Sequence, residues 1–384
     1  MRKNRFIIAG IAAASIGSFA LMHSERHRIP GDLRDAPADT PTKALALLAA
    51  GGGRTAQAPE PMLIPVPSNP QYTETPRVGG WNNGLYRPYV PSKDTVKAVL
   101  FAPQDNKKDA IKHYGSMDAQ EVESAISQTA AELTKMKVKA IIVASPGPSL
   151  RSTLADIEKL GGDMRYVETF NKADPHYNQI WFRDYGLLPL KNLQTGKWEN
   201  VDLIIRGAPL PDLSAFARDR FGMETIASLD VTATGGQLRG GNIMVDGAGR
   251  CFSAGFKHPL FESTIKCVNT VTLPCRSEVC HVDEYVTFLK NDTVVTNKEE
   301  FVPALQEAGY TRIRLVPDDK HLSLTNVLIV NDTVFLMYLD ELKEQMEKTK
   351  QVFEKEGYRV VPVNSGGAGE QYGAIHCLTK EIPN

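Results

Sequence analysis

From residue 92 onward the apolar residues follow two alternating periods. Compact aliphatic runs at 96–101 and 138–143 have the length and composition of strands, while Val122, Ile126, Ala130 and Leu133 recur on one face of a helix starting at Asp118. The same alternation predicts a helix over 150–160 closed by Gly161-Gly162, strands over 164–170, 180–190 and 201–205, and a helix over 213–221. Three hairpins follow. Strands 241–245 and 249–254 turn through Asp246-Gly247, 282–289 and 293–296 through Asn291-Asp292, and 326–330 and 333–338 through Asn331-Asp332. A helix over 299–308 separates the last two. A final helix, capped by Asp340 and turning Leu342, Met346 and Phe353 inward, stops at Gly357 before a strand over 358–363. Hairpins interleaved with helices predict an α/β architecture of several similar units with mixed strand direction, although no clean period runs through the sequence.

The N-terminal quarter has a different character. Arg2, Lys3 and Arg5 precede an uncharged apolar run from Phe6 to Met22, so residues 1–24 read as a secretory signal with cleavage near Ala20, or as an uncleaved membrane anchor. Residues 25–91 form a Pro/Ala/Gly-rich linker and arm. Eleven of the chain's 24 prolines fall between Pro30 and Pro91, too many for a packed core, and only the later part, with Trp81, Tyr86 and Tyr89, has aromatics that could dock. Residues 92–384 remain as a single catalytic-sized domain. A formal net charge of −1 gives no general attraction to nucleic acid or anionic membrane, so a membrane partner is expected only with an uncleaved leader.

The candidate chemistry lies in short motifs. Four glycines within residues 366–373 precede Ala-Ile-His-Cys-Leu, which reads as a short strand presenting Cys377 at its tip. A lone cysteine in apolar surroundings is more often a small core residue, and what distinguishes this one is the company it keeps. Trp-Phe-Arg-Asp-Tyr-Gly places Asp184 in an aromatic stretch where a strand would avoid Arg-Asp, the alternative being a solvent-facing charge pair. In Cys-His-Val-Asp-Glu-Tyr, a period of two would send His281, Asp283 and Tyr285 to one strand face. No cluster with metal-ligand spacing is evident, and no metal or other cofactor is expected. A thiol, a histidine and two carboxylates suit a planar cation: two aspartates can hold a guanidinium flat while sulfur attacks its central carbon.

With these residues in place the sequence resembles the guanidino-group-modifying superfamily, in particular the branch of secreted bacterial peptidylarginine deiminases and agmatine deiminases. Trp-Phe-Arg-Asp-Tyr-Gly, Gly-Gly-Asn-Ile-Met-Val-Asp-Gly, His-Val-Asp-Glu-Tyr, Ser-Leu-Thr-Asn and Gly-Ala-Ile-His-Cys stand in the family order between Trp181 and Cys377. The resemblance implies the pentein fold, a five-bladed α/β propeller of ββαβ-type units. It also implies Cys377 as nucleophile, His281 as acid/base, and Asp184 and Asp283 as binders of the guanidinium, with Asn326 near the site. Trp181 and Arg239 are further substrate-contact candidates. Arg206 matches the first of two arginines that grip a C-terminal carboxylate in some secreted relatives, but Ala208 stands where the second would be.

The implied reaction is deimination of arginine in peptides or proteins to citrulline, through a covalent thiouronium on Cys377. The alternative substrate is agmatine or another small guanidino compound; a cysteine peptidase and an inactive binding domain are the competing classes. The His-Val-Asp-Glu-Tyr form and the leader favour peptidyl arginine and a secreted or periplasmic location. The other cysteines, Cys251, Cys267, Cys275 and Cys280, are even in number and in an exported protein could form two disulfides in any of three connectivities.

Overall fold

A computed structural model describes residues 85–103, 116–171, 181–204, 213–231, 238–275, 280–318, 323–365 and 373–384. The stretch read as a signal and most of the linker, Trp81 included, lie outside them, as does Arg206. In chain order the elements are β1 (Tyr86–Pro88), β2 (Val96–Phe101), α1 (Ser116–Lys135), β3 (Lys139–Val143), α2 (Pro148–Lys159), β4 (Val167–Phe170), β5 (Gly186–Asn192), β6 (Trp198–Ile204), α3 (Leu213–Phe221) and β7 (Thr225–Asp230). They continue with β8 (Met244–Val245), β9 (Cys251–Ala254), α4 (Leu260–Ser263), β10 (Thr270–Leu273), β11 (Val286–Leu289), β12 (Thr293–Thr296), α5 (Val302–Glu307) and β13 (Arg312–Leu315). The chain closes with β14 (Leu328–Val330), β15 (Thr333–Tyr338), α6 (Lys343–Lys355), β16 (Arg359–Asn364) and β17 (Thr379–Pro383). No helix among the described residues is long and apolar enough to cross a membrane.

The strands sort into five separate sheets that repeat one plan. An antiparallel hairpin is followed by a helix and then by a strand parallel to the hairpin's second member: β5-β6-α3-β7, β8-β9-α4-β10, β11-β12-α5-β13 and β14-β15-α6-β16. The fifth unit joins the two ends of the described domain. There β17 runs antiparallel to β2, with Thr379 opposite Phe101, and β2 continues through α1 and α2 to the parallel strands β3 and β4. Tyr86–Pro88 adds an edge strand to β5, and Tyr89 beside it is buried, so the end of the arm does dock.

Local chemistry explains the elements that sequence and structure share. The β11-β12 turn needs two residues with positive φ and has Asn291 at 57° and Asp292 at 52°, residue types whose short polar side chains tolerate that conformation. In α6, Met346, Thr349 and Phe353 are buried at spacings of three and four, and the helix packs on β15 and β16. Phe353 belongs to an apolar cluster with Val295, Ile329, Leu336 and Tyr358, where full burial of such a side chain stabilises by about 1.5–3 kcal/mol.

Several expected boundaries move. Residues 182–184, 240–242 and 282–284 are 3-10 turns, so β5, β8 and β11 begin three to six residues later than the letters suggest. His281, Asp283 and Tyr285 therefore do not share a strand face. Cys377 sits in a turn over 375–378 ahead of β17, not on a strand tip, and Asp340 starts a 3-10 turn instead of capping α6, which begins at Lys343. The third strands β7, β10 and β13 are absent from the sequence reading: each is only four to six residues long and few of its positions are fully buried, three in β7, one in β10 and none in β13, so the alternation signal is weak.

Candidate active site

The unit plan brings the motifs together because each hairpin is preceded by a turn, and the turns at 182–184, 240–242, 282–284 and the one before β17 touch in sequence. Asn326, before β14, organises the thiol. Its Oδ1 accepts from the backbone N–H groups of Ala374 (3.0 Å) and Cys377 (3.1 Å), and its Nδ2 donates to Cys377 Sγ at 3.0 Å. One amide thus fixes both the loop and the sulfur it carries. Ser323 and Thr325 of the same motif donate to the carbonyl of Glu284, each at 2.7 Å, which anchors the 282–284 turn. Asn242 does the equivalent from the neighbouring unit, its Oδ1 accepting from Val282 N at 3.1 Å and from Ala254 N at 2.7 Å.

These ties place Asp283 against the thiol. Its Oδ2 accepts from Cys377 Sγ at 3.4 Å and lies 2.7 Å from His376 Nδ1, while its Oδ1 is buried with no partner among the described residues. Asp184 Oδ1 is 3.6 Å from His281 Nδ1, and Asp184 Oδ2 is 3.9 Å from Arg239 Nη1. Gly241 is where the two sides meet: a Cβ there would fall 2.6 Å from His281 Nδ1 and 3.2 Å from Asp283 Oδ1, so only glycine fits. Trp181 lies across the loop that carries the thiol, since a Cβ on Gly373 would be 2.3 Å from its ring.

Burial sets the electrostatics. Desolvation pushes Asp283 up to about 6, with His281 pulling against it and Asp184 adding to it. The Cys377 thiol is raised well above its ordinary value, first by burial and then by the negative charges of Asp283, Asp184 and Glu284. Burial, reinforced by Arg183, keeps the His376 imidazole neutral. Each of the first two groups is held back by a shortage of positive charge. A cation seated between the carboxylates and the sulfur would favour carboxylate and thiolate together.

Behind the site lies a charged cluster that sequence reading did not find. Arg183, for which a solvent-facing pair is the alternative reading, is buried: its Nη2 meets Glu381 Oε2 at 2.5 Å, its Nε donates to His376 O at 3.2 Å, and its backbone N–H donates to Cys377 O at 3.1 Å. Lys380 Nζ donates to Arg183 O at 2.8 Å and is lowered to about 7, chiefly by burial and next by Arg183. The Asp184 turn and the Cys377 turn are thereby bolted to each other. The available signal was the Arg183-Asp184 pair itself, a charge pair in an otherwise aromatic stretch.

Cys251 pairs with Cys267 and Cys275 with Cys280, leaving Cys377 as the free thiol; the second bridge ends directly before His281. Among the described residues no group of three or more His, Cys, Asp or Glu is placed to hold a metal ion.

No protein-family model matches the sequence, and no curated protein matches it either. Solved structures do. An agmatine deiminase of C. jejuni superposes with a TM-score of 0.59 at 15% identity, covering 77% of this chain and 95% of that one. A structure provisionally named a peptidyl-arginine deiminase gives 0.55 at 19%, covering 78% and 99%. The agmatine deiminase of Enterococcus faecalis gives 0.57 at 15%, covering 78% and 96%. At these identities the likeness is one of fold: the chain has the mixed α/β fold that these structures share.

Proposed function

We propose that this protein is a hydrolase that deiminates a guanidinium group, with Cys377 as the nucleophile. The observation that carries the reading is the pairing of the buried thiol with Asp283, whose second carboxylate oxygen has no partner among the described residues, while a second buried carboxylate, Asp184, belongs to a turn packed against the same loop. Such an arrangement is unfavourable when empty and is relieved by a planar cation, which can donate to both aspartates and lower the thiol pKa as it binds. The five units are read as blades of one ring, with their lead-in turns meeting at its centre.

The chemistry follows from charge. Cys377 as thiolate attacks the guanidinium carbon, and His281 as imidazolium gives a proton to the departing nitrogen, so that ammonia leaves and a thiouronium remains on the sulfur. Neutral His281 then takes a proton from water as the oxygen bonds to carbon. The C–S bond breaks and a ureido product is released with the thiol restored. A cysteine peptidase would need a histidine to activate the thiol, whereas here it is Asp283 that lies within reach of Sγ.

Two substrates fit the reading. The fold neighbours favour agmatine, several being agmatine deiminases. The His-Val-Asp-Glu-Tyr motif and the leader over residues 1–24 favour arginine in peptides and an exported enzyme. The test is to incubate purified protein with agmatine and with arginyl peptides and to measure ammonia and ureido product. Wild type should form both with at least one compound, and Cys377→Ala, folded by circular dichroism, should form neither. Product formation by Cys377→Ala at a tenth of the wild-type rate would exclude Cys377 as the nucleophile.

A further inference from the structure

Arg239 is a charge that the chemistry above does not use. It precedes the 240–242 turn in extended backbone, and its Nη1 stands 3.9 Å from Asp184 Oδ2. Its side chain is 17% exposed, against 6% for Asp184 and 1% for Asp283, so along the line from Asp283 to Asp184 to Arg239 the site opens towards solvent. The oxygens of Asp184 already face basic groups, His281 on one side and Arg239 on the other, whereas Asp283 Oδ1 has no hydrogen-bond partner among the described residues. A guanidinium seated with its head at Asp283 and its tail towards the more exposed side would pass a fixed positive charge.

Resting on the deiminase reading, we infer that Arg239 is a specificity-determining residue that selects guanidino compounds whose far end is neutral or anionic. The favoured class is an acylated arginyl residue. Agmatine carries an ammonium at the end opposite its guanidinium, and Arg239 opposes that second cation while leaving a peptide backbone indifferent and attracting a carboxylate. The effect is one of relative rates between substrates, which a residue that merely props Asp184 would not produce, since a prop would change every substrate by the same factor.

The experiment compares kcat/KM for agmatine, N-acylarginine amide and N-acylarginine in wild type, Arg239→Gln and Arg239→Lys, by ureido-product formation. Wild type should turn over both arginyl compounds faster than agmatine, with N-acylarginine at least equal to the amide. Arg239→Gln should improve agmatine relative to the amide by about tenfold, the size of one partly screened charge contact, and Arg239→Lys should keep the wild-type ratio. Faster turnover of agmatine by wild type, or a ratio unmoved in Arg239→Gln, removes the proposal and leaves deimination intact. No ureido product from any of the three compounds with folded wild-type protein removes the deiminase reading and this proposal with it.

Discussion

Asp283 should be a residue whose replacement stabilises the protein while disabling it. Its carboxyl lies buried beside a thiol and within the field of Asp184, and its folded value is about 6 against an ordinary 3.8, a difference worth about 3 kcal/mol at about 1.4 kcal/mol per pKa unit. Because the folded value is raised, the native state holds more protons than the unfolded state between pH 3.8 and about 6. The contribution of Asp283 to stability is therefore fully present below the lower limit and lost as pH rises through the upper one. An asparagine does not titrate. Asp283→Asn should thus gain on wild type across that window and hold a plateau above it, the change amounting to about 3 kcal/mol, or roughly 6 °C in a domain of this size. The amide oxygen still accepts from Cys377 and can stand beside His376 Nδ1, and any fixed cost of orienting its NH2 cancels when the two proteins are compared at different pH. Denaturant unfolding of both proteins at pH values from 4 to 8 measures the difference directly. A difference that stays flat, or one in which the variant loses ground as pH rises, would refute the assignment of a raised, desolvated carboxylate at this position. In the same variant ureido-product formation should fall by far more than tenfold, because the cation loses its innermost partner.

Two further outcomes follow from the same geometry. Arg183→Gln leaves Glu381 buried without its cation and cuts the link to His376 O, so it should destabilise by about 3–5 kcal/mol in denaturant melts, while Arg183→Met with Glu381→Met should recover most of the loss; equal losses in single and double variants would show that the pair is not the source. The acid limb of kcat/KM should bend near pH 6 in wild type, where Asp283 takes up its proton and can no longer attract the substrate cation, and a limb flat down to pH 5 would contradict that role.

Much of the site was legible because its chemistry requires particular residue types in short, ordered motifs. Cys377, His281, Asp283, Asp184 and Asn326 are all buried, Asn326 and Asp283 against the Cys377 sulfur, and the Asn291-Asp292 and Asn331-Asp332 hairpins form where their turn chemistry places them. Period-two reasoning failed at the same motifs. His281 to Tyr285 looks like the start of a strand, but the polar groups there are satisfied by side chains from Asn242, Asn297, Ser323 and Thr325, which hold a 3-10 turn in place of a ladder.

The sequence by itself determined what is local: turn residues, helix faces, the apolar run at the N-terminus, and which side chains could do guanidinium chemistry. Tertiary structure decided what depends on neighbours distant along the chain. The pairing of β17 with β2 joins residues 379 and 101, the short third strands gain their order only from parallel partners, and Arg183 becomes an internal bolt only when Glu381 and His376 O arrive opposite it. The charge state of Asp283 is of this second kind as well. A carboxyl's affinity for its proton is set by the water it has lost and the charges that surround it, and neither exists until the turns have met.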